Sequence, residues 1–180
     1  VSASQEVNKF VVFNGFELEK TELKEIISVL GNAEIYHEGD AGDSYTAICY
    51  YYPKQNVSVL YESGEMGGST TLLSHKFHSG KFEKFTCATK NDGGVQKFEI
   101  SSLRIGQPLK IALASLPTNP NSVSGTSYLY LNTIPFTEND FIKANVNRSE
   151  HAVWDEAVTI ELYEKKGVVT GFGVSKIRTY

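Results

Sequence analysis

Thr21-Glu-Leu-Lys-Glu-Ile-Ile-Ser-Val-Leu30-Gly31 is the stretch on which the fold reading turns, because Leu23, Ile26, Ile27 and Leu30 fall at i, i+3, i+4 and i+7. That spacing lays one apolar stripe along a 3.6-residue period and predicts a short amphipathic helix. The same spacing returns as Leu109, Ala112, Leu113 and Leu116 within Gly106-Gln-Pro-Leu-Lys-Ile-Ala-Leu-Ala-Ser-Leu116-Pro117. Thr21 is placed to cap the first helix, and Pro108 suits the first turn of the second. Gly31 and Pro117 stop them at equivalent points. At roughly three turns, neither helix is stable alone, so each must lie on something.

The similarity extends outward from the helices. Before them stand two leads of matching pattern, Phe13-Asn-Gly-Phe-Glu-Leu18 and Ile100-Ser-Ser-Leu-Arg-Ile105. After them come Gly42-Asp-Ser-Tyr45 and Gly125-Thr-Ser-Tyr128, each opening an aromatic strand that ends near Pro53 or Pro135. Second strands follow at Val57 to Glu62 and Val158 to Glu164, and third strands at Leu72 to Phe77 and Phe172 to Ile177. The expected fold is therefore α+β, with two tandem repeats, each a short amphipathic helix packed on a small antiparallel β-sheet. Residues 1–92 and 93–180 are the two units, and Asn91-Asp-Gly-Gly94 supplies turn chemistry at the junction. Lys81 to Asp92 and Thr137 to Glu156 read as insertions, the second a polar excursion.

This pattern resembles the β-lactamase-inhibitor-protein-like repeat and the related BamE-like outer-membrane-assembly lipoproteins. The likeness is carried by Phe16-Glu-Leu18, Leu103-Arg-Ile105, the two helix stripes, the Leu30-Gly-Asn-Ala33 stop and the aromatic first strands. It implies a helix on a small antiparallel sheet, twice over. Gly106 matches the glycine that precedes the family's helices, whereas the first copy has Glu19-Lys20 there and the second helix ends on Pro117.

Composition narrows the function. Hydrophobic residues at 41% and charged residues at 21% describe a globular chain. A formal net charge of −4 and a pI near 5.6 argue against nucleic acid, which needs a concentrated basic surface. No run reaches the roughly 18 apolar residues of a transmembrane segment. The opening Val1-Ser-Ala-Ser-Gln-Glu6 is of the kind left by signal-peptide removal. Cys49 and Cys87 permit one disulfide, worth about 4 kcal/mol in the chain-entropy model, or else are two buried thiols.

No catalytic, metal or cofactor motif emerges. His75 and His78 are three apart in a strand, which sends them to opposite faces. Asp40-Ala-Gly-Asp43, beside His37 and Glu38, lacks calcium-loop spacing, and Gly67-Gly-Ser-Thr70 lacks the lysine of a phosphate loop. Gly171 and Gly173 inside a strand mark a bulge or a close backbone approach. Asn56-Val-Ser58 and Asn147-Arg-Ser149 match the glycosylation sequon. His151, Trp154 and Asp155 lie in the acidic excursion, from which a carboxylate pair for hydrolysis would have to be drawn.

Face parity then points to binding. The helix-free faces are expected to present Tyr51, Leu60, Tyr128, Tyr130 and Tyr163, and tyrosine is a favoured contact residue. The expectation is a secreted or periplasmic non-enzymatic protein with no cofactor that engages a protein or peptide partner. The alternatives are a small envelope-associated hydrolase without a recognisable motif and a structural envelope component.

Overall fold

A computed structural model describes residues 6–40, 42–91, 98–148 and 152–180 of the chain. Two short hairpins open the halves. β1 (Val12–Phe13) and β2 (Phe16–Glu17) are joined by Asn14-Gly15, whose φ angles of 52° and 81° make the turn that twists correctly for a two-residue hairpin. β8 (Glu99–Ile100) and β9 (Leu103–Arg104) form the other. Among the described residues, the longer helices are α1 (Leu23–Leu30), α2 (Leu109–Ser115) and α3 (Glu138–Ala144). The remaining strands are β3 (Tyr36–Glu38), β4 (Tyr45–Tyr52), β5 (Val57–Gly64), β6 (Ser74–Ser79), β7 (Ala88–Thr89), β10 (Ser122–Ser124), β11 (Ser127–Pro135), β12 (Val153–Lys165) and β13 (Val168–Thr179).

These nine strands form one sheet, in the order β10-β11-β12-β13-β6-β5-β4-β3, with β7 also on the outer edge of β4. All pairings are antiparallel except β4 with β7. This overturns the expected α+β architecture of two small helix-on-sheet units: 45% of the described residues are strand, and most of them belong to one large sheet. The physical reason lies at β6 and β13. Each would be an edge strand in a separate sheet, with a row of unpaired N–H and C=O groups. Instead they pair, Gly171↔His78 through Ser175↔Ser74, and both edges vanish.

The glycines make that joint possible. A Cβ at Gly171 would lie 2.7 Å from the Phe77 carbonyl oxygen, and one at Gly173 would lie 2.9 Å from Lys76 Cγ. The close approach anticipated for this pair is where the two halves of the sheet meet.

The main core fills one face of the sheet. Ile48, Tyr50, Tyr52, Val57, Val59, Tyr61, Phe77, Val158, Ile160, Leu162, Phe172 and Val174 are buried there. Leu23, Ile26 and Leu30 of α1 pack onto it, and the first four orphan N–H groups of the helix are partly answered by a Glu22/Glu25 exchange in which Glu22 N donates to Glu25 Oε2 at 2.7 Å. The N-cap is thus Glu22, not Thr21, whose hydroxyl accepts from Glu17 N at 2.9 Å. The second helix is a weaker cover: Ala112 is its buried residue, and Leu113 of the expected stripe is exposed. The third helix lies inside the supposed polar excursion, started by a reciprocal Thr137–Asp140 capping box and anchored by Phe141 against Phe136. The proposed junction at Asp92 to Gly94 is outside the described residues.

Candidate binding face

Pairing registers sort the opposite, helix-free face into rows across the strands. One row reads Leu131, Ala157, Ile177, and the next Leu129, Thr159, Ser175, Ser74, Glu62, Ala47. The third reads Ser127, Glu161, Gly173, Lys76, Leu60, Cys49, and the fourth Tyr163, Gly171, His78, Ser58, Tyr51. The face changes character along these rows. Towards β4 it is covered, because residues 80–87 lie over it and bury Ala47, Cys49 and Leu60 beneath Phe82 and Phe85. Towards β11 no such cover exists among the described residues, and Leu131 and Tyr163 are 54% and 45% exposed.

At the boundary sits a polar cluster. The Glu62 carboxylate, almost wholly buried, accepts from Ser74 Oγ at 3.2 Å, pairs with Lys76 Nζ at 3.2 Å, and takes a short hydrogen bond from the Tyr45 hydroxyl. Burial, reinforced by the adjacent Glu62 charge, pushes the Tyr45 hydroxyl far above the usual tyrosine range. Tyr163 Oη donates to Glu161 Oε2 at 2.7 Å, and burial first, then that carboxylate, pushes the phenol up to about 12.

Two clefts flank the cluster and share Tyr45, Glu62 and Lys76. One, ≈ 240 Å³, runs over Ser74, Thr159, Gly173, Ser175 and Ile177. The other, ≈ 460 Å³, lies between Tyr163 and the rings of Phe82 and Phe85. Rings, hydroxyls, the ammonium groups of Lys76 and Lys84, the carboxylates of Glu62 and Glu161 and the His78 imidazole line this surface. That set offers both packing area and hydrogen-bonding groups. Within it the Glu62 carboxylate is engaged by three partners, Tyr45, Ser74 and Lys76.

The residues anticipated for this face divide. Tyr51, Leu60 and Tyr163 lie on it. Tyr51 is half-buried, with its hydroxyl on Asn56 Oδ1 at 2.9 Å and Lys81 Nζ 5.0 Å from its ring centre. Leu60 is only 2% exposed, covered by residues 80–87. Tyr128 and Tyr130 are on the other face, opposite Ile160 and Val158, which corrects their assignment. Tyr130 is buried because its hydroxyl can donate to the Pro117 carbonyl at 2.9 Å, so ring and hydroxyl are both satisfied inside. Leu129 and Leu131 take the helix-free positions instead. Cys49 and Cys87 form a disulfide.

The remaining chemistry stays apart. His75 is fully buried on the helix side and His78 lies on the opposite face. Among the described residues, no three His, Cys, Asp or Glu side chains are grouped to hold a metal ion. Asp155 is exposed, Trp154 packs with Phe136 at 4.8 Å, and His151 is outside the described residues. No described helix is long and apolar enough to cross a membrane. Sequence reasoning missed Tyr45, Glu62, Lys76, Phe82 and Phe85. The signal for the first three was opposite charge at Glu62 and Lys76 on same-face, diagonal positions of neighbouring strands. Compared with protein-family models, curated proteins and solved structures, the chain finds no match.

Proposed function

We propose that this chain is a secreted or periplasmic, non-enzymatic binding protein that engages a protein or peptide partner through the helix-free face of its sheet. One observation carries the reading: the face is sealed over β4 and β5 but open over β11 to β13. The two clefts that share Tyr45, Glu62 and Lys76 reach exposed Ile177 and exposed Tyr163 respectively, and exposed Leu131 lies in the same row as Ile177. A stiff tyrosine beside a cleft is the kind of residue that dominates binding energy at interfaces. The Cys49–Cys87 bond supports an oxidising compartment.

A phage-displayed random peptide library panned on the immobilised chain tests this. Wild-type protein is expected to enrich a peptide class, and Tyr163→Ala or Ser175→Arg to lose it while keeping the wild-type circular dichroism. Enrichment that survives both substitutions, or no enrichment on wild type, overturns the reading.

A further inference from the structure

Residues 80–87 are held over the sheet almost entirely by side chains. Among the described residues, the backbone hydrogen bonds around this segment lie at its two ends: Gly80 N donates to Asn56 O at 2.7 Å, and Lys90 N donates to Tyr51 O at 2.8 Å. Just past the segment, β7 pairs with β4 over two residues, Tyr50↔Ala88 and Tyr51↔Thr89. Between these ends the contacts are soft. The Phe82 ring lies 5.0 Å from His78 and the Phe85 ring 5.2 Å from Tyr36. Lys84 Nζ sits 3.0 Å from Glu38 and 5.2 Å from the Tyr36 ring centre, in a solvent-exposed pair of the kind that contributes little. The covalent tie is Cys49–Cys87.

The apolar contacts beneath this segment are separate from the main core. Ala47, Cys49 and Leu60 form their own cluster with Tyr36, Tyr45, Phe82, Phe85 and Cys87, while α1 and α2 pack on the opposite face. We propose that the disulfide is the pin of a strap, and that its reduction frees residues 80–87 while the nine-stranded sheet stays folded. Release uncovers Ala47, Cys49 and Leu60 and removes the Phe82–Phe85 wall of the larger cleft. The bond thereby sets the shape of the binding face through the redox state of its surroundings.

The chemistry is thiol–disulfide exchange with a dithiol. Cys87 is half-buried and Cys49 fully buried, so a reductant thiolate attacks the Cys87 sulfur and displaces the Cys49 thiolate. The reductant's second sulfur then closes on its first and displaces the Cys87 thiolate. The dithiol leaves as a disulfide, and its two protons end on Cys49 and Cys87.

Trypsin cleavage after Lys81 and Lys84, followed by mass spectrometry on oxidised and dithiothreitol-reduced full chain, reads the strap. Amide hydrogen exchange across β5, β6, β12 and β13 reads the sheet. Reduction is expected to speed cleavage at the two lysines by about ten-fold or more with sheet protection retained, as for a local opening. Cys87→Ser is expected to do the same without reductant. Unchanged cleavage in the reduced protein or the variant overturns the strap, and so does loss of protection throughout the sheet.

The link to binding rests on the function proposed above, so a selected peptide is titrated against both redox forms. Weaker binding on reduction supports the link, and unchanged affinity with a released strap overturns it. Failure to select any peptide overturns the proposed function and leaves the strap result standing.

Discussion

His75 makes the fold sensitive to mild acid, by an amount that can be worked from its surroundings. It sits on β6 between Tyr61 of β5 and Val174 of β13, fully buried, with the Phe13 and Phe77 rings at 6.1 Å and 6.3 Å. Its Nε2 faces the Phe10 carbonyl at 3.4 Å, so that nitrogen carries the proton, and Nδ1 has no partner among the described residues. A second proton would place an imidazolium in an apolar core. Burial lowers the pKa from 6.5 to about 4, with the Phe10 hydrogen bond opposing only in part.

The folded pKa is depressed, so the unfolded chain binds the proton first as pH falls. The stability held with neutral His75 is complete above about pH 6.5 and is lost between there and about pH 4, at up to about 1.4 kcal/mol per pH unit and about 3 kcal/mol in all. Glu19 works in the opposite sense, because burial raises its pKa and the folded state takes up its proton first. Glu156 adds to acid loss only lower down. Burial pushes its carboxyl up, but hydrogen bonds from Arg178 and Lys176 hold it below the usual range. Both acids are common to wild type and a His75→Phe variant, so comparing the two isolates the histidine. Urea unfolding followed by Trp154 fluorescence at intervals from pH 7 to 4.5 is the assay. The variant starts lower, by about 1–3 kcal/mol for the Phe10 carbonyl left without its donor, but has a shallower slope. Equal slopes in the two proteins, or an NMR titration of His75 near 6.5, would refute the reasoning.

Three further changes test other parts of the fold. Gly171→Ala forces a Cβ against the Phe77 backbone oxygen and is expected to cost about 2–3 kcal/mol in urea unfolding, more than Gly173→Ala, whose obstruction is the movable Lys76 stem. Glu156→Gln leaves the buried Lys176 without its carboxylate at 3.1 Å, and is expected to cost about 3 kcal/mol by the same measurement. Tyr130→Phe removes the donor to Pro117 O and is expected to cost about 1 kcal/mol, with the thermal midpoint falling accordingly.

The parts of the fold set by local chemistry were legible in the sequence. The α1 stripe and the β-branched and aromatic strands depend on residues close in the chain, and periodicity reports those. The merger of the sheets depends on two strands almost a hundred residues apart, and neither β6 nor β13 says whether its edge is free. Gly171 and Gly173 registered a close approach without naming what approaches. Parity divides a strand into two faces but does not say which faces inward. At β11 the leucines drew the inward assignment by hydrophobicity, whereas the buried hydrogen bond available to Tyr130 reversed it. α3 was missed because its apolar content is slight, although Thr137-Glu-Asn-Asp140 carries the capping pattern.

The location of the open face follows from the same asymmetry. A sheet this broad has more apolar surface than two-turn helices can cover, and its helix-free side is where the halves differ most. Over β4 and β5 that side carries Ala47, Cys49 and Leu60, which are apolar and are covered by a disulfide-pinned strap. Over β12 and β13 it carries Thr159, Glu161, Gly173 and Ser175, which need no cover. Tyr163 and Ile177 stand exposed beside them, as does Leu131 on β11. Folding accounts for the covered half of the face, and under the function proposed above the apolar groups on the open half are its contact residues.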